Sequence, residues 1–150
     1  MLKNLKFLVC PVCKCNLFKK SRTKLYCKEC SSHYEIRDGI PILLPPNLEE
    51  FKVLEAEYHD KEAHHYGEIN MIDSYHVTHY IDKYLEVVNT LDKDSLLLEV
   101  GSGDGNVANL ITNSGINVIQ SDISFEMVNL AKNNKVNSRI IYTVSDAENI

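Results

Sequence analysis

The sequence predicts an α/β fold in which a small metal-binding unit and a helical linker precede the first half of a doubly wound parallel sheet. Two observations carry this prediction. Two Cys-x-x-Cys pairs lie near the N-terminus, at Cys10/Cys13 and Cys27/Cys30. In the last third of the chain, short apolar runs alternate with helical patterns in the order β-α-β-α-β. The three predicted units are residues 1–46, 47–95 and 96–150.

The composition is that of a soluble globular protein. Of the 150 residues, 44% are hydrophobic and 25% are charged, which is close to the usual balance. No apolar stretch approaches the roughly 20 residues that span a bilayer. The N-terminus has cysteines too early, and no small-residue cleavage site, for a signal peptide. We therefore expect no membrane span and a cytoplasmic location.

The charge is divided unevenly along the chain. Residues 1–46 carry nine Lys/Arg and three Asp/Glu, whereas the remaining residues carry seven Lys/Arg and eighteen Asp/Glu. Residues 1–46, here called the head, are therefore basic, and the rest of the chain is acidic. This division favours a polyanionic partner such as RNA for the head, since phosphate contacts come from Lys and Arg. Against RNA, the head shows no cluster of aromatic residues for stacking bases.

The two cysteine pairs predict a structural zinc site. Cys10, Cys13, Cys27 and Cys30 can supply four thiolates, with thirteen residues between the pairs, and zinc prefers four soft ligands in a tetrahedron. Free thiols in a small core and an iron site of rubredoxin type are the alternatives. Cys15 is left over as a spare cysteine. About 46 residues bury little core, so the metal would supply much of the folding free energy.

A hairpin follows the cysteine pairs. Tyr34 and Ile36 alternate with polar residues, Asp38-Gly39 is a turn sequence, and IPILL is the return strand. The segments CPVC, YCKEC and YEIRDGIPILLP resemble the zinc ribbons fused to, or partnering, methyltransferases. These include the activator subunits of tRNA and translation-factor methyltransferases and the ribbon of a bacterial 23S rRNA guanine methyltransferase.

Two helices are predicted between residues 47 and 95. The first has Phe51, Leu54 and Tyr58 at helical spacing, and the second continues through YHVTHYIDKYLEVV. In the resembling methyltransferases, helices at this position cap the cofactor, which makes Tyr58 and Tyr66 candidates for that role. Five histidines lie in this segment, at His59, His64, His65, His76 and His79. We expect them to cover a cofactor cleft or to lie on a solvated helix face, and favour either role over a second metal site.

The last unit, residues 96–150, is predicted to alternate strands with helices. LLLEV, NVIQSD and RIIYTV are predicted strands, and the helices NVANLITN and SFEMVNLAKNN follow the first two. Ser124 can cap the second of these helices, and Gly115 can end the first. The continuous apolar character of LLLEV is typical of a strand buried on both faces.

The glycine loop after LLLEV favours a nucleoside over a dinucleotide. Its pattern is Glu99-x-Gly101-x-Gly103-x-Gly105, whereas a dinucleotide fingerprint requires glycine at position 106. The glycines allow close backbone approach. The next two predicted strands each end in an acidic residue. Asp122 is placed to accept hydrogen bonds from ribose hydroxyls, and Asp146 could accept one from an adenine amino group. Glu99, before the loop, could bind the amino group of an amino-acid tail. Adenine, ribose and an α-amino acid together describe S-adenosylmethionine.

The same region resembles the N-terminal half of class I S-adenosylmethionine-dependent methyltransferases of type 11, a family with a Rossmann-like sheet. LLLEVGSGDG matches their first motif, SDISFEM their second and SDAENI their third. The resemblance implies a cofactor-binding set in which the glycines surround the tail and ribose, Asp122 binds the ribose, and the rest meet the adenine: Gly101, Gly103, Gly105, Asp122, Ile123, Asp146 and Ala147.

In that family the strand order is 3-2-1-4-5-7-6, and this sequence supplies three of the seven strands. We therefore name no catalytic residue and expect this chain alone to be inactive, with self-association through the strand at 96–100. The predicted function is the cofactor-binding half of a methyltransferase acting on a small molecule, lipid or saccharide. The alternative is a zinc-ribbon module that binds RNA or protein, beside a remnant or partner-completed methyltransferase half.

Overall fold

The computed structural model describes residues 5–66, 75–134 and 138–150. The strands and helices, in chain order, are β1 (Leu17–Lys19), β2 (Lys24–Cys27), β3 (His33–Arg37), β4 (Ile40–Leu43), α1 (Glu50–Tyr66), α2 (Tyr75–Val88), β5 (Leu96–Val100), α3 (Asn106–Asn113), β6 (Asn117–Asp122), α4 (Phe125–Asn134) and β7 (Ile140–Ser145). Within these ranges, no helix combines the length and the apolar character that crossing a membrane requires.

The N-terminal unit is an antiparallel meander of β1 to β4. Strands β2 and β3 alternate between core-facing and outward-facing residues, so that Leu25 and Tyr34 point into the core while their neighbours face outward. The β3–β4 turn has positive φ at both Asp38 (49°) and Gly39 (78°). This conformation is that of the tight hairpin turns which Asp-Gly favours, so the predicted turn is confirmed.

The outward face of this meander corrects the expectation that residues 1–46 contain no cluster of aromatic residues. Residues Phe18, Tyr26 and His33 are seven or eight positions apart in the sequence, where they form no cluster. The register places Phe18 opposite Tyr26, and Tyr26 opposite His33. Strand pairing therefore assembles an aromatic row that the sequence conceals.

The C-terminal unit is the predicted β-α-β-α-β half-sheet. Strands β5, β6 and β7 are parallel, with β6 in the middle. Ser124 Oγ accepts a hydrogen bond from Met127 N at 3.1 Å, so Ser124 caps α4 as predicted. These elements confirm the Rossmann-like fold class.

The two units share one sheet, which the sequence did not predict. Strand β4 pairs in parallel with β7, with Ile42 opposite Val144 and Leu43 opposite Ser145. The sheet order is therefore β1-β2-β3-β4-β7-β6-β5. One core cluster contains Leu43 together with Ile119 and Ile141 of the half-sheet. The cysteine-rich unit thus extends the sheet and shares its core.

Strand β5 ends the sheet in the described part of the chain. Its side chains at Leu96, Leu98 and Val100 are 41%, 43% and 47% exposed. The apolar run LLLEV suggested burial on both faces, but in the described part of the chain the face that carries Leu96, Leu98 and Val100 is only partly covered. The expectation of an exposed strand at 96–100 agrees with this arrangement.

Helix α1 lies across the carboxyl ends of β6 and β7. Asp60 Oδ1 accepts hydrogen bonds from Ser124 Oγ at 2.5 Å and from Glu126 N at 3.0 Å, which fastens α1 to the start of α4. The predicted apolar stripe of α1 faces solvent instead of the core. Phe51, for example, is 61% exposed and Tyr58 is 59% exposed.

Candidate cofactor cleft and metal centre

An open cleft of about 670 Å³ lies between α1 and the carboxyl ends of the three parallel strands. This is the position at which open α/β sheets bind their ligands. Helices α1 and α4, the three parallel strands and the loops after those strands contribute the lining residues, which are Phe51, Lys52, Glu55, His59, Val100, Gly101, Gly103, Asp122, Ile123, Met127, Ser145, Asp146, Ala147 and Glu148.

The glycines of the loop after β5 have two different roles. All three have positive φ, at 66° for Gly101, 51° for Gly103 and 76° for Gly105, a conformation that favours glycine. A Cβ at Gly105 would lie 2.6 Å from the side chain of Gln120, so this glycine allows close packing. A Cβ at Gly101 or Gly103 would meet no atom within 4 Å. These two border the cleft and leave its floor open for a ligand.

Asp122 ends β6 at the inner wall of the cleft. Its side chain connects two neighbouring backbones, because Oδ2 accepts a hydrogen bond from Gly103 N and Oδ1 accepts one from Ser124 N, both at 2.9 Å. The residue is only 9% exposed. An ionised carboxylate has about four acceptor positions, so two backbone bonds fix its orientation and leave capacity for a ligand's hydroxyl groups.

Asp146 directly follows β7 and forms a buried ion pair that the sequence did not reveal. Lys52 Nζ of α1 donates hydrogen bonds to Asp146 Oδ2 at 2.9 Å and Glu148 Oε2 at 2.5 Å. These bonds raise the pKa of the Lys52 ammonium above its usual range. Burial favours the neutral form of Asp146, but hydrogen bonds from Lys52 and Asn149 outweigh it and lower the pKa of this carboxyl. Asp146 is therefore a fixed carboxylate.

Glu99 faces a second, adjoining cleft. This cleft has a volume of about 490 Å³ and is lined largely by apolar and aromatic side chains of α2 and β5, including Tyr80 and Tyr84. Glu99 Oε2 is buried without a hydrogen-bond partner. Burial, with a smaller contribution from the nearby Asp104, raises the pKa of Glu99 to about 7. Val100 lines both clefts, so Glu99 lies beside the main cleft and not within it.

The structure therefore gathers most of the predicted cofactor set. Gly101, Gly103, Asp122, Ile123, Asp146 and Ala147 line the main cleft, whereas Glu99 and Gly105 do not. From α1, His59 lines the cleft and Tyr58 does not. The side chains of Tyr66, His76 and His79 lie outside the described residues. Phe51, Lys52 and Glu55 were missed, because nothing in the local sequence shows which face of α1 meets the strand ends.

The four paired cysteines converge on one point. The Sγ atoms of Cys10, Cys13, Cys27 and Cys30 all lie within 4.8 Å of one another. The distances are 3.5 Å from Cys10 to Cys30 and 3.4 Å from Cys13 to Cys27. Zinc–sulfur bonds of about 2.3 Å in a tetrahedron place the sulfurs roughly 3.8 Å apart. The cluster therefore fits a zinc ion, and Cys15 lies outside it.

Two hydroxyl groups lie within hydrogen-bonding distance of the cysteine sulfurs. Tyr34 Oη lies 3.0 Å from Cys10 Sγ, and Ser32 Oγ lies 3.2 Å from Cys30 Sγ. Contacts with the hydroxyl and backbone of Ser32 lower the pKa of the Cys30 thiol to about 6. At Cys13 a backbone contact with Cys15 acts in the same direction, but the Cys27 thiol and burial outweigh it and raise the pKa of Cys13. Binding of a metal ion therefore has to displace protons from thiols of this cluster. Among the described residues, these cysteines form the one group of His, Cys, Asp or Glu suited to a metal ion.

Comparisons with known proteins match the two units separately. A family model described as Trm112p-like protein matches residues 2–39, and one described as Methyltransferase domain matches residues 98–150. A UPF0434 protein of Nitrosococcus oceani is 46% identical over 50 residues, covering 33% of this chain and 85% of that protein. A UPF0434 protein of Methylobacillus flagellatus is 51% identical over 43 residues, covering 28% of this chain and 72% of that protein.

A solved structure aligns with more than two thirds of this chain. Phosphoethanolamine N-methyltransferase 2 of Haemonchus contortus, in complex with S-adenosyl-L-methionine, aligns with a TM-score of 0.51 and 19% identity. The match covers 69% of this chain but only 26% of that chain, so this chain spans about a quarter of the enzyme's length. At this identity the likeness concerns the fold.

The fold and the site define a Rossmann-like α/β protein with a glycine-bordered cleft at its strand ends and an attached four-cysteine ribbon. The chain belongs to the Trm112p-like family through its N-terminal unit, which is followed by a methyltransferase domain.

Proposed function

We propose that this chain forms the S-adenosylmethionine-binding half of a class I methyltransferase. The observation that carries the proposal is the convergence of the Gly101–Gly103 backbone, Asp122 and Asp146 on one cleft, each from the end of a different parallel strand. Because the space above Gly101 and Gly103 is open, a ligand can approach the backbone of the loop closely. The cleft also lies where α/β sheets bind nucleosides.

Each carboxylate has a separate task in this proposal. Asp122, fixed by Gly103 N and Ser124 N, accepts hydrogen bonds from the ribose hydroxyls. Asp146, held ionised by Lys52, accepts from the adenine amino group, and Ile123 packs on the adenine ring. The methionine tail reaches past Val100 into the adjoining cleft, where Glu99 accepts a hydrogen bond from its ammonium group. The cofactor, when bound, supplies an electrophilic methyl group.

The four-cysteine ribbon acts as a structural support for this cleft. A zinc ion held by Cys10, Cys13, Cys27 and Cys30 has four protein ligands and no open position, as structural zinc sites do. Strand β4 then extends the sheet beside β7, whose end carries Asp146. Thiolates kept for a metal require a reducing compartment, so we place the protein in the cytoplasm.

Substitution of Asp122 tests the proposal. A bidentate, charge-assisted contact contributes on the order of 2 kcal/mol, so Asp122→Ala should weaken binding of S-adenosylhomocysteine about 30-fold. Calorimetry on the chain, with the product as ligand, measures this. His59→Ala is the control, because His59 lines the same cleft but has no assigned contact. Equal affinity in the Asp122→Ala and parent chains, or a larger loss in His59→Ala, would contradict the assigned ribose contact.

A further inference from the structure

The outward face of the ribbon presents three rings in a row. Phe18, Tyr26 and His33 come from β1, β2 and β3, and their register makes them direct neighbours across the strands. The ring centroids of Phe18 and Tyr26 are 5.8 Å apart, and those of Tyr26 and His33 are 6.3 Å apart with planes 26° from parallel. Aromatic residues on an open sheet face form a platform on which unpaired bases can stack.

Lysines surround this row at both ends. Lys28 Nζ lies 4.2 Å from the centroid of the Phe18 ring. Lys20 Nζ lies 3.1 Å from His33 Nε2, and Lys24 is exposed on the same face. Such lysines can pair with phosphates on either side of stacked bases.

Two acids lie on or beside this face, and one of them is paired. Glu29 is exposed and lines the depression beside Phe18, together with Lys14 and Lys28. Glu35, opposite Lys24 in the register, accepts hydrogen bonds from Arg37, the shorter of them at 3.0 Å. Two shallow depressions flank the row, one beside Phe18 and Lys28 and the other beside Lys24 and His33. The face is therefore basic, aromatic and open at both ends of the row.

From this arrangement we propose that the outward face of β1 to β3 binds single-stranded nucleic acid, with two or three bases stacked on Phe18, Tyr26 and His33. A duplex keeps its bases stacked on one another and cannot use the row. An acidic protein segment would use the lysines but would leave the three rings without a function. The inference does not depend on S-adenosylmethionine binding, because none of Phe18, Tyr26 and His33 lines the cofactor cleft.

Fluorescence anisotropy of the zinc-loaded chain with labelled 12-nucleotide oligoadenylate RNA tests the proposal. Phe18→Ala should weaken binding roughly 5- to 150-fold, the range for loss of one stacked base. Tyr58→Ala is the matched control, because Tyr58 is an exposed ring on α1 and should leave affinity unchanged. Zinc content and circular dichroism, measured on each variant, establish that the ribbon remains folded.

The salt dependence gives a second and independent measurement. Each phosphate contact to a single strand contributes a slope of about −0.7 in log affinity against log salt. Lys28→Gln and Lys24→Gln should each reduce the slope by about that amount, whereas Lys61→Gln on α1 should not. This readout remains available if a ring substitution disturbs the fold.

Three outcomes would overturn the proposal. The first is unchanged affinity in Phe18→Ala with the ribbon intact, or, if that variant unfolds, unchanged salt slopes in both lysine variants. The second is equal affinity for a duplex of the same sequence. The third is competition by polyglutamate as effective as that by RNA, which would assign the face to an acidic protein partner. Loss of S-adenosylhomocysteine binding with RNA binding retained would contradict the proposed function alone.

Discussion

At the residue scale, the three carboxylates of the candidate site differ in what surrounds them. Asp146 is held by a lysine, and Asp122 is held by two backbone amides. Glu99 has a buried oxygen with no partner. A buried polar group without a hydrogen bond lowers the stability of the fold. Of the three carboxylates, Glu99 is therefore the one that destabilises the ligand-free protein and would gain a partner from a ligand.

This difference predicts how stability depends on pH. The folded-state pKa of Glu99 is about 7, above its ordinary value of 4.5, so folding favours the protonated acid. The contribution of Glu99 is therefore most favourable below pH 4.5, is lost as the pH rises towards 7, and is constant above. Glu99→Gln should raise the melting temperature at pH 8 and change it little at pH 4.5. Thermal unfolding of both chains at the two pH values measures this.

A matched variant separates the burial of Glu99 from general surface charge. Asp82→Asn removes an exposed carboxylate of α2 and should leave the difference between the two pH values unchanged. An equal gain in melting temperature for Glu99→Gln at both pH values would contradict the raised pKa of Glu99 and indicate improved packing instead.

The sequence indicated some of these residues but not others. Asp122 and Asp146 follow apolar strands, and the ends of parallel strands meet at one edge, so their convergence could be predicted. Lys52 could not, because it is one of several charged residues in α1, and burial of a lysine depends on a partner 94 positions away. Long-range pairing of this kind leaves no local pattern.

At the scale of elements, the parallel pairing of β4 with β7 joins the ribbon to the cleft. Lys14, in the loop of the first cysteine pair, donates a hydrogen bond to Asn149 O at 2.6 Å. Asn149 in turn donates to Asp146 Oδ2 at 2.6 Å. The zinc loop and the proposed adenine-binding turn are therefore two hydrogen bonds apart.

This connection predicts that zinc removal affects both units. One zinc ion per chain is expected, and Cys27→Ala, which removes a fully buried ligand, should lose it. Because β4 and the shared core depend on the ribbon, the variant should also unfold at lower temperature and bind S-adenosylhomocysteine more weakly. Elemental analysis, thermal unfolding and calorimetry measure the three effects.

Cys15→Ala is the control for the metal ligand, since Cys15 lies outside the cluster and its loss should leave the zinc content at one per chain. Full zinc content in Cys27→Ala would contradict the assigned ligand set. Normal binding of S-adenosylhomocysteine by the zinc-free variant would show that the ribbon does not support the cleft.

The elements themselves were largely predictable, but their pairing was not. The cysteine spacing, the Asp38-Gly39 turn and the apolar strand runs are local features that each specify a short structure. The pairing of residues 40–43 with 140–145 depends on the global fold, and no turn or spacing records it. The stacking row of the ribbon escaped prediction for the same reason, since register and not sequence distance makes Phe18 and His33 near neighbours.

At the scale of the whole molecule, one side of the sheet is uncovered in the described part of the chain. Strand β5 is the last strand in the order, and three of its five side chains are more than 40% exposed. Tyr80 and Val87 of the neighbouring α2 are also exposed, at 74% and 65%. An outer strand with apolar side chains and free backbone groups is a pairing site for another chain.

We therefore expect this chain to self-associate through β5 in solution. Leu98 lies at the centre of the strand, and Leu98→Lys places a charge at the edge, which is a device by which natural sheets prevent edge pairing. Sedimentation velocity over a range of concentrations should show concentration-dependent association for the parent chain and a monomer for Leu98→Lys. Val53→Lys, at a similarly exposed apolar residue of α1, should associate as the parent does. A parent chain that stays monomeric at every concentration, or a Val53→Lys variant that dissociates as fully as Leu98→Lys, would show that β5 is not the contact. In that case added charge alone, or another surface, would govern association.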